Sequence, residues 1–296
     1  MAASWLKGAM VSGQISVIVT TYNRESALDA VLRGLARQTD REFEIIVADD
    51  GSGPATRDLV ERRAAGPDVS LKLVWQEDRG FRAGEARNRG ILASRGGYCI
   101  FLDGDCIPRP DFIAVHRRLA EPGWFVTGNR ILLSRELTER VLAEPSEPEL
   151  WRLAAWLALR SKRSINRLAP MLPLPLGPLR KLRPMAWRGA RSCNLAVWRS
   201  DLDRVDGFDA AYSGWGLEDS DLLIRLFHAG VRRKDGNFAT GVLHLWHAEN
   251  DRSYLPENQR RLDEVERSGR VRAIAGLSAL GGAAEAAGAL RAGGHG

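Results

Sequence analysis

Short apolar runs alternate with amphipathic stretches along the first third of the chain. The apolar runs have the length of single strands, and the stretches between them carry apolar residues at helical spacing. Four strands are predicted at Ile15–Thr20, Phe43–Ala48, Leu71–Trp75 and Tyr98–Leu102, and three helices at Ser26–Arg37, Ala55–Ala64 and Ala83–Ser94. This order is typical of βαβ units, so we expect an α/β fold with a mixed, mostly parallel sheet flanked by helices.

The remaining two thirds of the chain are less regular. Trp124–Leu132 predicts a strand, Glu136–Arg163 one or two helices, and Pro170–Pro184 a long surface loop or lid, because its prolines exclude a regular helix. Further patterns predict a strand at Cys193–Trp198, a helix at Glu218–Ala229 and a final strand at Gly241–Trp246. With 296 residues, the chain is long enough for one large domain with a well-buried core.

Positive charge is concentrated in one segment of the chain. The formal net charge is +6, and no Asp or Glu occurs between Leu150 and Ser200, where Lys and Arg are frequent. No nucleic-acid-binding motif accompanies this charge, so we expect no nucleic acid as partner and favour an anionic membrane surface, an anionic saccharide or a lipid-linked acceptor. The candidate membrane contacts are Trp151, Trp156, Leu172, Leu174, Leu176, Leu179, Arg180, Lys181 and Arg183. The alternative is a lid that packs its leucines on the core.

Other features of the sequence bear on location and redox chemistry. No apolar run approaches the length of about eighteen residues that spans a bilayer, and Met1–Gly13 lacks the pattern of a secretory signal. We therefore expect a cytoplasmic protein, either free or peripheral on the inner face of the cell membrane. The odd set Cys99, Cys106 and Cys193 has no CxxC spacing, which favours buried small residues over disulfides or structural zinc.

Polar residues follow several predicted strands, and in open α/β sheets ligands bind at the carboxyl ends of strands. Tyr22–Asn23–Arg24, Asp49–Asp50 and Asp103–Asp105 should therefore meet in one crevice. The two carboxylates of Asp103–Gly104–Asp105 suit a hard divalent cation that also touches a diphosphate. Taken alone the triplet is explained by a tight turn, and the neighbouring motifs favour the cation. In Asp49–Asp50–Gly51–Ser52 a carboxylate suits the imide hydrogen of uracil, and again a plain turn is the alternative.

Three further segments carry candidate chemistry. Arg87 lies in Gly80–Asn88, a segment that begins a helix. The positive N-terminal end of that helix suits a nucleotide, and the alternative is a helix with solvated arginines. Gly214–Asp221 combines a turn, the flat face of Trp215 and three acids, one of which can act as a general base. His244 and His247 offer imidazoles that, with Asp105, form a mixed oxygen and nitrogen shell suited to Mn²⁺. His116 and His295 are interpreted as structural or solvent-exposed residues.

Taken in order, these motifs resemble those of family 2 glycosyltransferases of GT-A fold. The resemblance runs from about Ile15 to Glu249, and Gly214–Trp215–Gly216–Leu217–Glu218–Asp219 with His247 is similar to the catalytic segment of galactosyltransferase-type enzymes. Enzymes that share this catalytic segment include β-1,4-galactosyltransferases, polypeptide N-acetylgalactosaminyltransferases and bacterial chondroitin-type polymerases. The chain departs from the family in having Thr20 where proline is usual.

The resemblance implies a single Rossmann-like GT-A domain over residues 1–280 and a flexible tail over 281–296. Within the domain it implies a nucleotide-binding part at 14–132, a basic insertion or lid at 134–191, an acceptor and catalytic part at 192–250, and a helical extension at 255–280. It also implies an inverting, metal-dependent transfer of sugar from a nucleotide diphosphate, best matched by UDP, to a hydroxyl acceptor in bacterial surface polysaccharide or lipopolysaccharide synthesis.

The resemblance also assigns roles to single residues. The nucleotide contacts it implies are Thr21, Tyr22, Asn23, Arg24, Asp49, Asp50, Arg87, Asp103 and Gly104. It implies Trp215, Gly216 and Glu218 as substrate contacts and Asp219 as the catalytic base, with Asp221 as the alternative base. Asp105 and His247 would ligate Mn²⁺ or Mg²⁺, and His244 stands where galactosyltransferases have a methionine. A nucleotidyltransferase and a non-catalytic sugar-nucleotide or glycan-binding subunit remain as alternatives.

Overall fold

The computed structural model describes residues 13–66, 70–143, 146–249 and 251–281. The strands are β1 Ile15–Thr21, β2 Phe43–Asp49, β3 Ser70–Trp75, β4 Tyr98–Asp103, β5 Cys106–Pro108, β6 Trp124–Thr127, β7 Arg130–Leu132, β8 Asn194–Trp198, β9 Arg232–Asp235 and β10 Val242–His244. The helices are α1 Glu25–Ala36, α2 Pro54–Ala64, α3 Ala83–Ala93, α4 Phe112–Leu119, α5 Arg135–Ala143, α6 Leu153–Ser161, α7 Arg199–Val205, α8 Glu218–His228 and α9 Leu255–Ser268. Residues 282–296, where a flexible tail is predicted, lie outside the described residues.

The main sheet has seven strands in the order β3-β2-β1-β4-β8-β6-β9. The pairs of β1 with β2 and β4, of β2 with β3 and of β6 with β9 are parallel, whereas β8 is antiparallel to both of its neighbours. β2 is buried along its length and β1 at every position except Thr20, because helices cover both faces of the sheet. The prediction of a mixed, mostly parallel sheet flanked by helices is confirmed.

A second, three-stranded sheet with the order β5-β10-β7 corrects the prediction of a single sheet. The strand predicted over Trp124–Leu132 was wrong, because the chain bends at Gly128 and divides into β6 and β7 in different sheets. A side chain at Gly128 would overlap the amide of Asn194, and the Gly128 N–H donates to the Asn194 carbonyl at 2.8 Å. The strand predicted at Gly241–Trp246 is observed as the shorter β10, which pairs with β5 and β7 in the second sheet.

The basic insertion contains two helices, α5 and α6, and then only short 3-10 turns at Ala169–Met171 and Gly177–Lys181. This confirms that Pro170–Pro184 forms no regular helix. In the part of the chain described, no helix is both long and apolar enough to cross a membrane. The three cysteines are free and buried, as expected.

Some of the predicted membrane contacts in this insertion were wrong. Trp156 is buried in the core that also contains α1 and α5. Arg180 is also buried and donates to the carbonyls of Asp235 and Asn237, while Lys181 pairs with Glu121 at 2.6 Å. These side chains hold the insertion on the edge of the main sheet. Trp156 and Arg180 are not available to an external surface, whereas the Lys181 side chain is 36% exposed and engaged by Glu121.

Candidate active site

The loops that follow β1, β2 and β4 lie against one another at the carboxyl edge of the sheet. The Gly104 N–H donates to the Thr20 carbonyl at 2.7 Å, and the Asp50 N–H donates to the Thr21 carbonyl at 3.0 Å. A side chain at Gly104 would meet the Thr20 carbonyl oxygen at 3.0 Å. The glycine between Asp103 and Asp105 thus allows β4 to turn close against β1, which gives it a structural reason besides any approach of a ligand.

The two aspartates after β2 differ in what their oxygens contact. Asp49 Oδ1 accepts bonds from the backbone N–H and hydroxyl of Ser52, as a turn-forming aspartate does. Asp50 accepts from Gln76 Nε2 at 2.6 Å and from the Arg82 N–H at 2.8 Å. Burial raises the pKa of both carboxyls, and these hydrogen bonds oppose the rise. Asp49 therefore closes the turn, whereas Asp50 lies toward α3.

Residues after β1 line the same edge. Asn23, at a positive φ of 45°, accepts from the Gly53 N–H through Oδ1, and its own N–H donates to the Ser52 hydroxyl. Thr21 is buried at the end of β1. Tyr22 is 47% exposed and donates from its hydroxyl to Asp78 at 2.9 Å. Tyr22 thus offers an open ring face to a ligand, while Asn23 joins the two loops.

Asp105, His244 and His247 form the candidate metal centre. One potential ligand atom from each lies within 4.8 Å of the others. His244 Nε2 is 3.7 Å from Asp105 Oδ1, and His247 Nε2 is 3.6 Å from Asp105 Oδ2. The Leu245 N–H donates to the Asp105 carbonyl at 2.9 Å, so β10 is fixed beside the Asp-Gly-Asp turn. The structure brings these three predicted residues together.

The chemistry of the two imidazoles suits a cation. Burial lowers the pKa of His244 to about 4, against the opposing charge of Asp105, so His244 is neutral at neutral pH. His247 Nδ1 lies 2.6 Å from the Ala248 carbonyl, which can only accept, so Nδ1 carries a proton and Nε2 is the ring nitrogen that faces Asp105. One carboxylate and two imidazoles form a donor set that fits Mn²⁺ better than Ca²⁺ or Mg²⁺.

Arg24 also reaches this centre. Its Nη1 donates to Asp105 Oδ2 at 2.7 Å and its Nη2 to the Trp246 carbonyl at 3.1 Å. The Arg24 side chain is 32% exposed. This guanidinium therefore neutralises the central carboxylate and remains open to solvent on one side.

A second cluster is built around Arg87 on α3. Its guanidinium contacts Asp103 at 3.1 Å, Glu218 at 3.2 Å and Asp219 at 3.8 Å, and it lies over the Phe208 ring. Burial alone would lower the Arg87 pKa, but these carboxylates outweigh burial and raise it. Burial raises the Glu218 pKa to about 7, with the Asp219 charge adding to the effect and Arg87 opposing it. One buried cation thus organises three acids from distant parts of the chain.

The acids at the start of α8 have different surroundings. Asp219 accepts from the Ser192 N–H through Oδ2, and its Oδ1 has no hydrogen-bond partner among the described residues. Asp221 is fully buried and bound to Arg225 at 2.6 Å, and Arg225 in turn donates to the carbonyls of Val205 and Gly207. The suggestion of Asp221 as an alternative base was wrong, because this aspartate belongs to a buried structural ion pair.

The loop before α8 has a strained shape that α9 holds in place. Gly214, Gly216 and Leu217 all have positive φ, which is unusual for a leucine. The buried Asn258 amide donates to the carbonyls of Ser213 and Gly216, at 3.0 Å in each case. Trp215 is partly exposed beside α8, with Arg252 over its ring.

Sequence reasoning missed several residues of this site. Gln76, Ser192 and Asn258 each hold a predicted site residue, but a single Gln, Ser or Asn carries no motif. Trp246 lies between the two histidines and is 41% exposed, with Arg135 over its ring. Its place in the His244–His247 segment was a signal that could have marked it as a second aromatic surface.

Comparison with known proteins identifies the family. The profile of Glycosyl transferase family 2 matches residues 16–172, more than half of the chain. The chain belongs to glycosyl transferase family 2. A second profile, described as the N-terminal domain of galactosyltransferase, matches residues 181–248, the part that carries α8 and both histidines. Both family resemblances predicted from the sequence are confirmed.

Curated relatives include several sugar transferases and synthases. The chain is 33% identical over 230 residues to validoxylamine A glucosyltransferase of Streptomyces hygroscopicus subsp. limoneus. This alignment covers 73% of the chain and 48% of that protein. It is 27% identical over 238 residues to chondroitin synthase of Escherichia coli. This second alignment covers 73% of the chain and 32% of that protein. The chain thus spans about half the length of the first relative and a third of the second.

Solved structures of similar shape establish the GT-A fold. A mannosyltransferase from Pyrobaculum calidifontis in complex with GDP-Man and Mn²⁺ covers 87% of this chain and 65% of that chain, with a TM-score of 0.52 at 22% identity. S. aureus TarS 1–349 in complex with UDP covers 86% of this chain and 65% of that chain, with a TM-score of 0.56 at 18% identity. The predicted GT-A fold is confirmed.

Proposed function

We propose that this family 2 protein transfers a sugar from a nucleotide diphosphate to a hydroxyl group, with inversion at the anomeric carbon. The observation that carries the proposal is the meeting of two clusters at one sheet edge. Asp105 of the metal cluster and Asp103 of the Arg87 cluster are separated only by Gly104, at the turn after β4. A site for a diphosphate and a base for an acceptor therefore adjoin each other.

The donor would bind over the ends of β1, β2 and β4. Asp50 supports a uracil base, since a carboxylate can accept the imide hydrogen, and Tyr22 offers an exposed ring face. Thr21, Asn23, Asp49 and Gly104 shape these loops, while Arg24 and Asp103 face the diphosphate and ribose. UDP is our choice of donor nucleotide; one structural neighbour is in complex with UDP and another with GDP-Man.

Asp105, His244 and His247 would hold the divalent cation, for which we propose Mn²⁺ before Mg²⁺. Such a cation neutralises the charge that develops on a departing diphosphate. Arg24, which pairs with Asp105, would turn to the phosphates when a cation takes its place on that carboxylate, because its side chain is partly open. His244 is neutral at neutral pH, and the Nδ1 contact of His247 leaves its Nε2 directed at Asp105, so both rings offer a nitrogen to the cation.

Asp219 is the proposed general base. The acceptor hydroxyl would give its proton to this carboxylate while its oxygen bonds to the anomeric carbon and the bond to the diphosphate oxygen breaks. The Ser192 N–H orients one carboxylate oxygen, and the other has unused acceptor capacity. Glu218, with its raised pKa, can hydrogen-bond a sugar hydroxyl as donor or acceptor. Trp215 and Gly216 would contact the acceptor sugar.

Family membership favours this proposal over a nucleotidyltransferase. The non-catalytic binding subunit has no positive support, because the acids that such a subunit could lose are present and arranged around Arg87. The acceptor that we propose is a saccharide or lipid-linked carrier of bacterial surface polysaccharide or lipopolysaccharide synthesis. We accordingly propose a cytoplasmic protein that attaches peripherally to the membrane.

Metal dependence of donor binding tests the proposal. At about 100 times its dissociation constant, UDP with Mn²⁺ should stabilise the wild-type fold by roughly 2.7 kcal/mol. Asp105→Ala and His247→Ala should lose the part of this stabilisation that requires Mn²⁺, because each removes one ligand. His228→Ala, which removes an imidazole bound to the Arg270 carbonyl away from the site, is the control and should keep it. Undiminished stabilisation of the wild type by UDP in excess chelator would contradict the metal centre.

A further inference from the structure

Helix α6 is an apolar helix that the described fold leaves uncovered. Seven residues of Leu153–Ser161 are apolar, yet Trp156 alone among them is buried. Leu153 is 50% exposed and Leu157, one turn later, is 53% exposed, while Leu150 just before the helix is 50% exposed. A surface helix normally turns its apolar residues to the core and polar ones to water. The α6 face therefore has the composition of a covered surface.

Basic residues frame this face on both sides. Arg152 precedes α6, and Arg160, Lys162 and Arg163 lie at its end and just beyond it, all exposed. Within the described residues, none of these four side chains has a carboxylate partner, in contrast to Lys181 with Glu121 in the same insertion. Since no acid occurs between Leu150 and Ser200, no neighbouring carboxylate in this stretch of sequence neutralises these four positive charges.

An open cavity beside the helix extends the apolar surface. It lies between α5 and α6, has a volume of about 400 Å³ and is lined by Val141, Trp151, Leu159 and neighbouring alanines, with Arg140 and Lys162 among its lining residues. The same combination of apolar lining and cations thus occurs in the cavity and on the helix.

We propose that the α6 face, defined as Leu150, Leu153, Leu157, Arg152, Arg160, Lys162 and Arg163, docks on an anionic lipid bilayer. The leucines would enter the boundary between headgroups and acyl chains, and the basic residues would contact headgroup phosphates. The partner follows from charge complementarity, because an apolar centre with a rim of unpaired cations matches an anionic interface.

The position of α5 connects this surface to the candidate active site. Arg135, at the start of α5, lies over Trp246, and Arg140 and Val141 near its end line the cavity beside α6. The nine residues of α5 span roughly 13 Å. The docked face would therefore hold the crevice near the bilayer, as a lipid-linked acceptor requires; this last step, but not the docking itself, rests on the proposed function.

Vesicle flotation of the full chain without nucleotide tests the docking. Phosphatidylcholine vesicles that contain phosphatidylglycerol should bind the protein, vesicles of phosphatidylcholine alone should not, and salt should weaken binding. Each basic residue near an anionic surface contributes on the order of fivefold to partitioning, so Arg160→Glu/Lys162→Glu should lower it by about 25-fold or more. Leu153→Ser/Leu157→Ser should also lower it.

The control changes the net charge equally on another surface. Arg260→Glu/Arg267→Glu lies on α9, which packs on α8, and should bind vesicles as the wild type does. Absence of binding to anionic vesicles, equal binding to neutral ones, or an equal loss in the control would overturn the proposal. A dimer that Leu153→Ser/Leu157→Ser dissociates in sedimentation, without vesicle binding, would assign the face to a second copy instead. Sugar transfer to a soluble acceptor without lipid reports separately on the proposed function.

Discussion

At the scale of single residues, Arg24 and Arg87 have different surroundings in the structure although the sequence suggests the same role. The sequence predicts nucleotide contacts for both. Arg87 is buried and surrounded by three carboxylates, so its charge is already used. Arg24 is partly exposed and bound to one carboxylate. This difference was not predictable, because the partner Glu218 of Arg87 lies 131 residues along the chain.

Arg24 and a metal cation would compete for the same oxygen of Asp105. We expect Arg24→Ala to raise the affinity for Mn²⁺ in the absence of nucleotide, and to weaken UDP binding by about tenfold or more, since a hydrogen bond to a charged group is worth about 1.5–3 kcal/mol. Titration calorimetry with Mn²⁺ alone, and with UDP at saturating Mn²⁺, measures the two effects. Arg79→Ala, an exposed arginine paired with Glu77, should change neither. Unchanged or weaker Mn²⁺ binding in Arg24→Ala would refute the competition.

At the scale of elements, the strong periodic patterns were predictable and the weak ones were not. The apolar positions of α1, Leu28, Val31 and Leu35, are all buried as their spacing predicts. β9 was missed because its sequence, Arg-Arg-Lys-Asp, has no apolar alternation, and its strand character comes from pairing with β6 at the sheet edge. The sheet edge that carries the site was predictable, because the strands that form it are long apolar runs.

The contact of α9 with the loop before α8 leads to a prediction about turnover. Asn258→Ala removes both donors to the loop carbonyls of Ser213 and Gly216, so Trp215 and the start of α8 lose their position. We expect the transfer rate to fall about 10- to 100-fold with UDP binding unchanged, because small displacements of reacting groups are costly. Gln259→Ala removes an exposed side chain that donates to Asp263, and it is the matched control in steady-state kinetics. Equal rates in the two variants would show that the loop holds its shape unaided.

At the scale of the whole molecule, the segment after α9 is joined to the main body by buried acids. Asp209 accepts from the N–H groups of Ile274 and Ala275 and from Arg270. Burial would raise the Asp209 pKa, but these bonds outweigh it and lower the pKa. A lowered pKa means that the stabilisation is present above the ordinary range of aspartate and is lost in acid. The sequence predicts a helical extension here but not this attachment.

Removal of Asp209 should therefore destabilise the entire fold. Asp209→Ala leaves Arg270 and three N–H groups, that of Ala211 included, without their acceptor. Breaking such a buried pair costs about 3–5 kcal/mol. Urea unfolding at neutral pH measures the change in free energy. Asp203→Ala, which breaks the exposed pair with Arg199, should cost less than about 1 kcal/mol. A comparable loss of unfolding free energy in both variants would mean that Asp209 contributes no more to stability than an exposed ion pair does.

A product assay with labelled nucleotide sugars tests the inverting sugar transfer and the role of Asp219 as its base. Wild-type protein with Mn²⁺, a UDP-sugar and candidate hydroxyl acceptors should give a product whose anomeric configuration, read by NMR, is opposite to that of the donor. Asp219→Asn should keep UDP binding and lower the transfer rate by about 10²–10⁴, because an amide cannot take the acceptor proton. A product with retained configuration, or transfer by Asp219→Asn at the wild-type rate, would contradict the account.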